Sequence, residues 1–188
     1  MDNDLITAPT LNHPPRNEAE AFGAATWLWM QSADHRTLPL EALPQLLLPA
    51  IQGGQYLLVH ARTATGKQPV AYMSWANLSA EAESRYLAHP LRGLQPADWR
   101  SGDRMWVTDW ITPFGHTPVL YAWVRRLLQQ TCFRYLHHRG NERGLRVKTY
   151  RGRAISPDQA RQWWRERPML ASPRDEAISP IFSTRPRP

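Results

Sequence analysis

The chain has 188 residues, 42% of them apolar, with nine Trp and a formal net charge of +7. That composition supports one globular domain with a real core and excludes a disordered chain. No apolar run approaches the ~20 residues of a membrane-spanning helix, and MDNDLITAPTLNHPPRNEAE has neither the basic start nor the apolar stretch of a secretory signal.

Residues 1–16 read as a flexible, Pro-containing arm. A helix is expected from about Asn17, with Glu18 and Glu20 at its positive end and Phe22, Ala25, Trp29 and Met30 as its apolar stripe. A second helix is expected over 39–52, interrupted by Pro44 and stopped by Gly53-Gly54. Residues 55–62 and 69–79 read as a strand pair across a short hairpin connection. Ser79 caps a short helix over 80–88, and a loop follows over 90–99. Thr117-Pro118 opens a helix to about Gln130 with the stripe Leu120, Trp123, Leu127 and Leu128. Strands are expected over 133–137 and 145–150, with Gly152 breaking the second, then a helix over 158–166 capped by Ser156. Residues 168–188 read as a disordered basic tail. The order implies an α/β (α+β) fold in which one mixed sheet carries helices on its faces, with a domain over 17–167.

The stretch Ser101–Gly115, SGDRMWVTDWITPFG, is the most informative. Alternation puts Met105, Val107, Asp109 and Ile111 on one strand face and Trp106, Thr108 and Trp110 on the other. A carboxylate among apolar neighbours needs a partner. An arginine or a turn amide would make it structural; a histidine would make it functional.

Charge is unevenly placed. Residues 1–124 hold 8 Lys/Arg against 11 Asp/Glu, and residues 125–188 hold 15 against 5. A basic final third attracts acidic partners: nucleic acid, an anionic membrane or an acidic protein. The single Cys132 excludes an internal disulfide and a Cys-based zinc site, and points to a reduced cytoplasmic setting.

Several motifs carry a resemblance. Trp27-Leu-Trp, Asp34-His35-Arg36, Leu48-Pro-Ala-Ile-Gln52, Pro69-Val-Ala-Tyr with Ser74-Trp-Ala-Asn-Leu-Ser79, and Ser101-Gly-Asp-Arg with Asp109-Trp-Ile-Thr-Pro-Phe-Gly115 occur in this order. Over about residues 22–165 they resemble the RTX-toxin-activating lysine acyltransferases. The resemblance implies a fold similar to the N-acetyltransferase (GNAT-like) fold. It implies transfer of a fatty acyl group from acyl-carrier protein to lysine ε-amines of an RTX protoxin, with no cofactor, and it suggests a homodimer. It also implies His35 and Asp109 as the catalytic pair, with Ser32 matching a family serine that could bond the imidazole or the substrate.

The chemistry suits those residue types. A lysine with its ordinary pKa of ~10.4 is protonated at neutral pH, so attack on a thioester needs a base. Histidine, ordinarily near ~6.5, suits that role, and a carboxylate can orient the imidazole. Read without the resemblance, His35 is first a helix-end histidine that caps an Asp-His-Arg turn, and the resemblance is what turns the reading toward catalysis. The backbone near Trp110–Ile111 or Ser74-Trp75 could donate to an oxyanion, so Ser74, Trp75 and Trp110 are candidate substrate-binding residues. Cys132 reads as a buried structural thiol rather than a nucleophile. The turn Pro-Phe-Gly-His-Thr-Pro before the Thr117 helix has one Gly, unlike the pyrophosphate-cradling turns of coenzyme-A-using N-acetyltransferases. Arg125, Arg126 and Arg134, with Arg139, Arg143 and Arg146, offer positive charge to an acidic carrier protein.

Two positions depart from the family pattern: Leu46 where an Asn is common, and Leu38 where a Trp precedes the proline. A rival of another class is a basic module for nucleic acid or an anionic membrane surface, with Trp163 and Trp164 as stacking surfaces.

Overall fold

A computed structural model describes residues 5–13, 17–64, 66–137 and 146–173. Its centre is one six-stranded sheet in chain order, β1 (Leu5–Thr7), β2 (Tyr56–Thr63), β3 (Gly66–Leu78), β4 (Arg104–Ile111), β5 (Cys132–His137) and β6 (Arg146–Arg151). Every neighbouring pair is antiparallel except β4 and β5, which are parallel. The helix α5 (Thr117–Leu127) makes the crossover that a parallel pair requires.

Helix α1 (Glu18–Gln31) starts where Asn17 accepts the Glu20 amide at 2.9 Å. It buries Ala21, Ala25, Leu28 and Trp29. Met30, expected in the stripe, is 63% exposed, because the buried face turns through Leu28 instead. The expected second helix is three pieces: a 3-10 turn at Leu40–Ala42, α2 (Leu43–Leu46) and α3 (Leu48–Gly53). Pro44 and Pro49 each sit in the first turn of their own helix, where a missing amide costs nothing, so the chain restarts rather than continues. Gly54 closes α3 in the left-handed region at φ 66°. Helix α4 (Ala80–Ala88) is capped by Ser79, as expected.

Helix α5 departs from its expected start: His116 precedes it, and Thr117 bonds Thr112 Oγ1 at 2.6 Å rather than capping. Helix α6 (Pro157–Glu166) carries a reciprocal Ser156–Gln159 capping box.

The arm expected over 1–16 is not loose where it is described. Leu5–Thr7 pairs with the edge of β2, and Ala8 is fully buried. Leu5 and Ile6 give the segment enough apolar side chain to complete the sheet. Of the expected disordered tail, residues 174–188 lie outside the described residues.

Two faces of the sheet carry separate cores. One packs Leu57, Val59, Met73, Trp75, Met105 and Val107 against Leu120, Val124 and Leu128 of α5 and its end. The other face is divided. Tyr56, Leu58, Tyr72 and Ile111 pack under α1 to α3, while Ala76, Leu78 and Trp106 pack under α4 and the loop that follows it.

One irregularity positions the site. Pairing runs from Ser74↔Asp109 directly to Trp75↔Val107, so Thr108 is an extra residue on β4. A bulge of this kind reverses the alternation beyond it. Asp109 therefore shares its face with Trp106 and Ile111, not with Met105 and Val107 as simple alternation predicts, and Trp110 moves to the opposite face.

Candidate active site

The turn after α1 presents His35. The Ser32 amide closes on Trp29 O, and the Ser32 carbonyl accepts from the amides of His35 and Arg36. This tight loop returns the imidazole onto Trp29, ring centroids 4.8 Å apart. His35 Nδ1 lies 2.9 Å from Ser32 Oγ, and Nε2 lies 3.2 Å from Asp109 Oδ1. The other carboxylate oxygen, Oδ2, accepts from Ser74 Oγ at 2.7 Å. Ser74 Oγ also lies 2.7 Å from Thr108 Oγ1, contributed by the bulge. Four hydrogen-bonded side chains thus run Ser32–His35–Asp109–Ser74, joining residues 74 positions apart at their central link.

A carboxylate can only accept, so the proton of a neutral imidazole belongs on Nε2, facing Asp109. That assignment leaves the lone pair of Nδ1 toward Ser32 Oγ. The His35 and Asp109 side chains are 20% and 10% exposed, so the contact is largely shielded yet reachable. Burial, assisted by the Asp109 charge, holds the Tyr72 and Tyr86 hydroxyls above the ordinary tyrosine range.

The pair lies in a cleft of about 360 Å³, open mouth included. Thr108 and Asp109 of β4 line it together with Trp29, Leu38, Leu46, Leu94 and neighbouring apolar side chains.

Other expected site residues fall elsewhere. Ser74 is fully buried; it holds Asp109 rather than meeting a substrate. Trp75 is 4% exposed in the core on the far face, and its amide donates to Gln55 O at 3.0 Å, which removes it as an oxyanion donor. Trp110 packs against that same far core, away from His35, because the bulge turned it.

Arg125 and Arg126 are exposed on α5, over the rings of Tyr121 and Trp123. Arg134 corrects the expectation of a surface contact. It is 4% exposed, bonded to the fully buried Glu83 at 2.8 Å, with Trp106 Nε1 donating to the same Glu83 oxygen. Its guanidinium also lies over Trp163 and Trp164, so those rings are packed together rather than presented as stacking platforms. Arg139 and Arg143 lie outside the described residues. Cys132 is buried as expected, and burial pushes its thiol up.

Sequence reasoning missed Thr108 as a partner of Ser74 and Trp29 as the wall behind His35. The bulge has no local signal. Trp29 does have one: it ends the stripe of α1 three residues before Ser32. Among the described residues, no group of three His, Cys, Asp or Glu could hold a metal ion, and no helix is long and apolar enough to cross a membrane.

The chain is similar to several known proteins. The leukotoxin-activating lysine-acyltransferase of Aggregatibacter actinomycetemcomitans is 41% identical over 138 residues, covering 73% of this chain and 79% of that protein. A protein-lysine myristoyltransferase of Escherichia coli is 44% identical over 115 residues, 61% of this chain and 65% of its own. The RTX-I toxin-activating lysine-acyltransferase of Actinobacillus pleuropneumoniae is 37% identical over 139 residues, 74% and 78% of the two chains. The model of the RTX toxin acyltransferase family matches residues 14–151, a span that includes both His35 and Asp109, and the chain belongs to that family.

Proposed function

We propose that this chain is a protein lysine fatty-acyltransferase that activates an RTX protoxin, taking its acyl group from acyl-carrier protein in the cytoplasm. The observation that carries the reading is the shielded Ser32–His35–Asp109–Ser74 chain, whose His35 and Asp109 line a largely apolar cleft. The lysine first loses its ammonium proton to solvent. Its nitrogen then attacks the thioester carbonyl while His35 Nδ1 accepts a second proton. The C–N bond forms, the C–S bond breaks, and the leaving thiolate takes that proton from the imidazolium. Asp109 stabilises the imidazolium, and Ser74 keeps the carboxylate in place.

From Thr108 onward, β4 has no registered partner in β5. Backbone amides on that edge are the donors this reading assigns to the oxyanion. Arg125 and Arg126 form the contact for the acidic carrier, and the GNAT-like fold and a homodimer belong to the same reading.

The 2.9 Å contact between Ser32 Oγ and His35 Nδ1 favours a second reading, in which Ser32 is acylated first and lysine then takes the chain. Direct transfer is preferred, since the same contact holds the imidazole at rest. The test is acylation of a cognate protoxin, followed by mass spectrometry of its lysines. His35→Ala is expected to lower the rate at least about 10³-fold, on the scale of losing a positioned base and its charge partner together. A folded His35→Ala protein acylating at the wild-type rate defeats the proposal.

A further inference from the structure

The cleft beside His35 lies where two core clusters meet without merging. One wall comes from the cluster under α1 to α3, through Leu38 and Leu46. The facing wall comes from the cluster under α4, through Tyr86, Leu94 and Trp99, with Leu91 beside them. The loop carrying Leu91 and Leu94 is tied at its far end, where Asp98 bonds Arg85 at 2.6 Å and the Gln95 amide at 2.8 Å. Such a seam is lined by packed side chains yet can admit a guest without opening a core.

We propose that this seam seats the hydrocarbon chain of the acyl donor, with Leu46 and Leu94 limiting the length accepted. The inference rests on reading the chain as a fatty-acyltransferase. Three observations select an alkyl chain over the lysine substrate. The lining is largely apolar, its polar members being His35, Thr108, Asp109, Tyr86 and the indoles of Trp29 and Trp99. The only carboxylate among the lining residues, Asp109, already accepts a hydrogen bond on each oxygen, from His35 and from Ser74. The indole N–H groups of Trp29 and Trp99, both in the walls, are buried without an acceptor. A chain ending in a carbonyl supplies an acceptor at the His35 end, where Trp29 packs; a buried donor lacking one is otherwise costly.

Two experiments on the full chain decide it. In the first, acyl-carrier thioesters from octanoyl to stearoyl are compared as donors. Leu46→Phe, which narrows the seam from a half-exposed position, moves the optimum to shorter chains, and Leu46→Ala moves it to longer ones. Each methylene no longer seated lowers kcat/KM by about fourfold. An unchanged length profile in both variants overturns the inference. In the second, a palmitate analogue with a terminal diazirine is photolysed on the wild-type protein, and the adducts are mapped by mass spectrometry. Labelling within 38–46 and 86–99, reduced in Leu46→Phe, supports the seat; labelling confined to other segments overturns it. Adducts in the seam with no lysine acylation by any donor would sink the transferase reading and leave the seat standing.

Discussion

Asp109→Asn keeps the shape of the side chain and removes its charge. At the 3.2 Å separation from His35 Nε2, an effective dielectric of about 20 gives a ceiling of about 5 kcal/mol for holding the imidazolium. The side chains are 20% and 10% exposed, so solvent reduces that figure. A hydrogen bond to a charged group contributes about 1.5–3 kcal/mol by itself. The variant also allows an amide N–H to face Nε2, which moves the imidazole proton to Nδ1 and removes the lone pair that accepts from lysine. The expected loss is about 3–5 kcal/mol in the transition state, roughly 10²- to 10⁴-fold in rate. The assay is single-turnover lysine acylation followed by mass spectrometry, with thermal unfolding as the folding control. A well-folded Asp109→Asn protein within tenfold of wild type would refute the charge-partner argument.

Ser32→Ala is expected to slow acylation by about tenfold or less, the effect of losing one resting hydrogen bond; a loss matching His35→Ala would instead establish the acyl-serine route. Glu83 is fully buried between Arg104, Arg134 and Trp106. Its replacement by Ala strands Arg134 inside, so chemical denaturation should report about 3–5 kcal/mol less stability, and an unchanged midpoint would show that the cluster is dispensable. Burial pushes Tyr56 up to about 12 and raises Tyr72 and Tyr86 as well. The folded hydroxyls keep their protons where unfolded ones, near ~10, release them, so stability is full below about pH 10 and falls as pH climbs toward about 12. Absorbance at the tyrosinate band should rise together with unfolding; titration of all tyrosines in the intact fold would contradict the burial.

Much of this arrangement was legible in one dimension. Asn17, Ser79 and Ser156 mark helix starts because their side chains accept amides a few residues on. Asp109 stood out as a carboxylate in an apolar strand, while His35 was singled out by the family resemblance and not by its Asp-His-Arg turn. The faces of β4 were misread because alternation assumes a regular ladder, and the added Thr108 is visible only once Ser74 and Trp75 have chosen their partners. Arg134 was misplaced for a related reason: a sequence counts charges, while Glu83, contributed from another element, decides which of them are buried.

Local chemistry therefore determined where helices begin, where the chain turns and which residue types could move a proton, since each depends on neighbours a few positions away. The meeting of His35 with Asp109, the turning of Trp110 away from them and the apolar seam beside them were decided by tertiary structure alone. Those features depend on strand register and on how two core clusters abut, and both are set by contacts between segments distant in the chain.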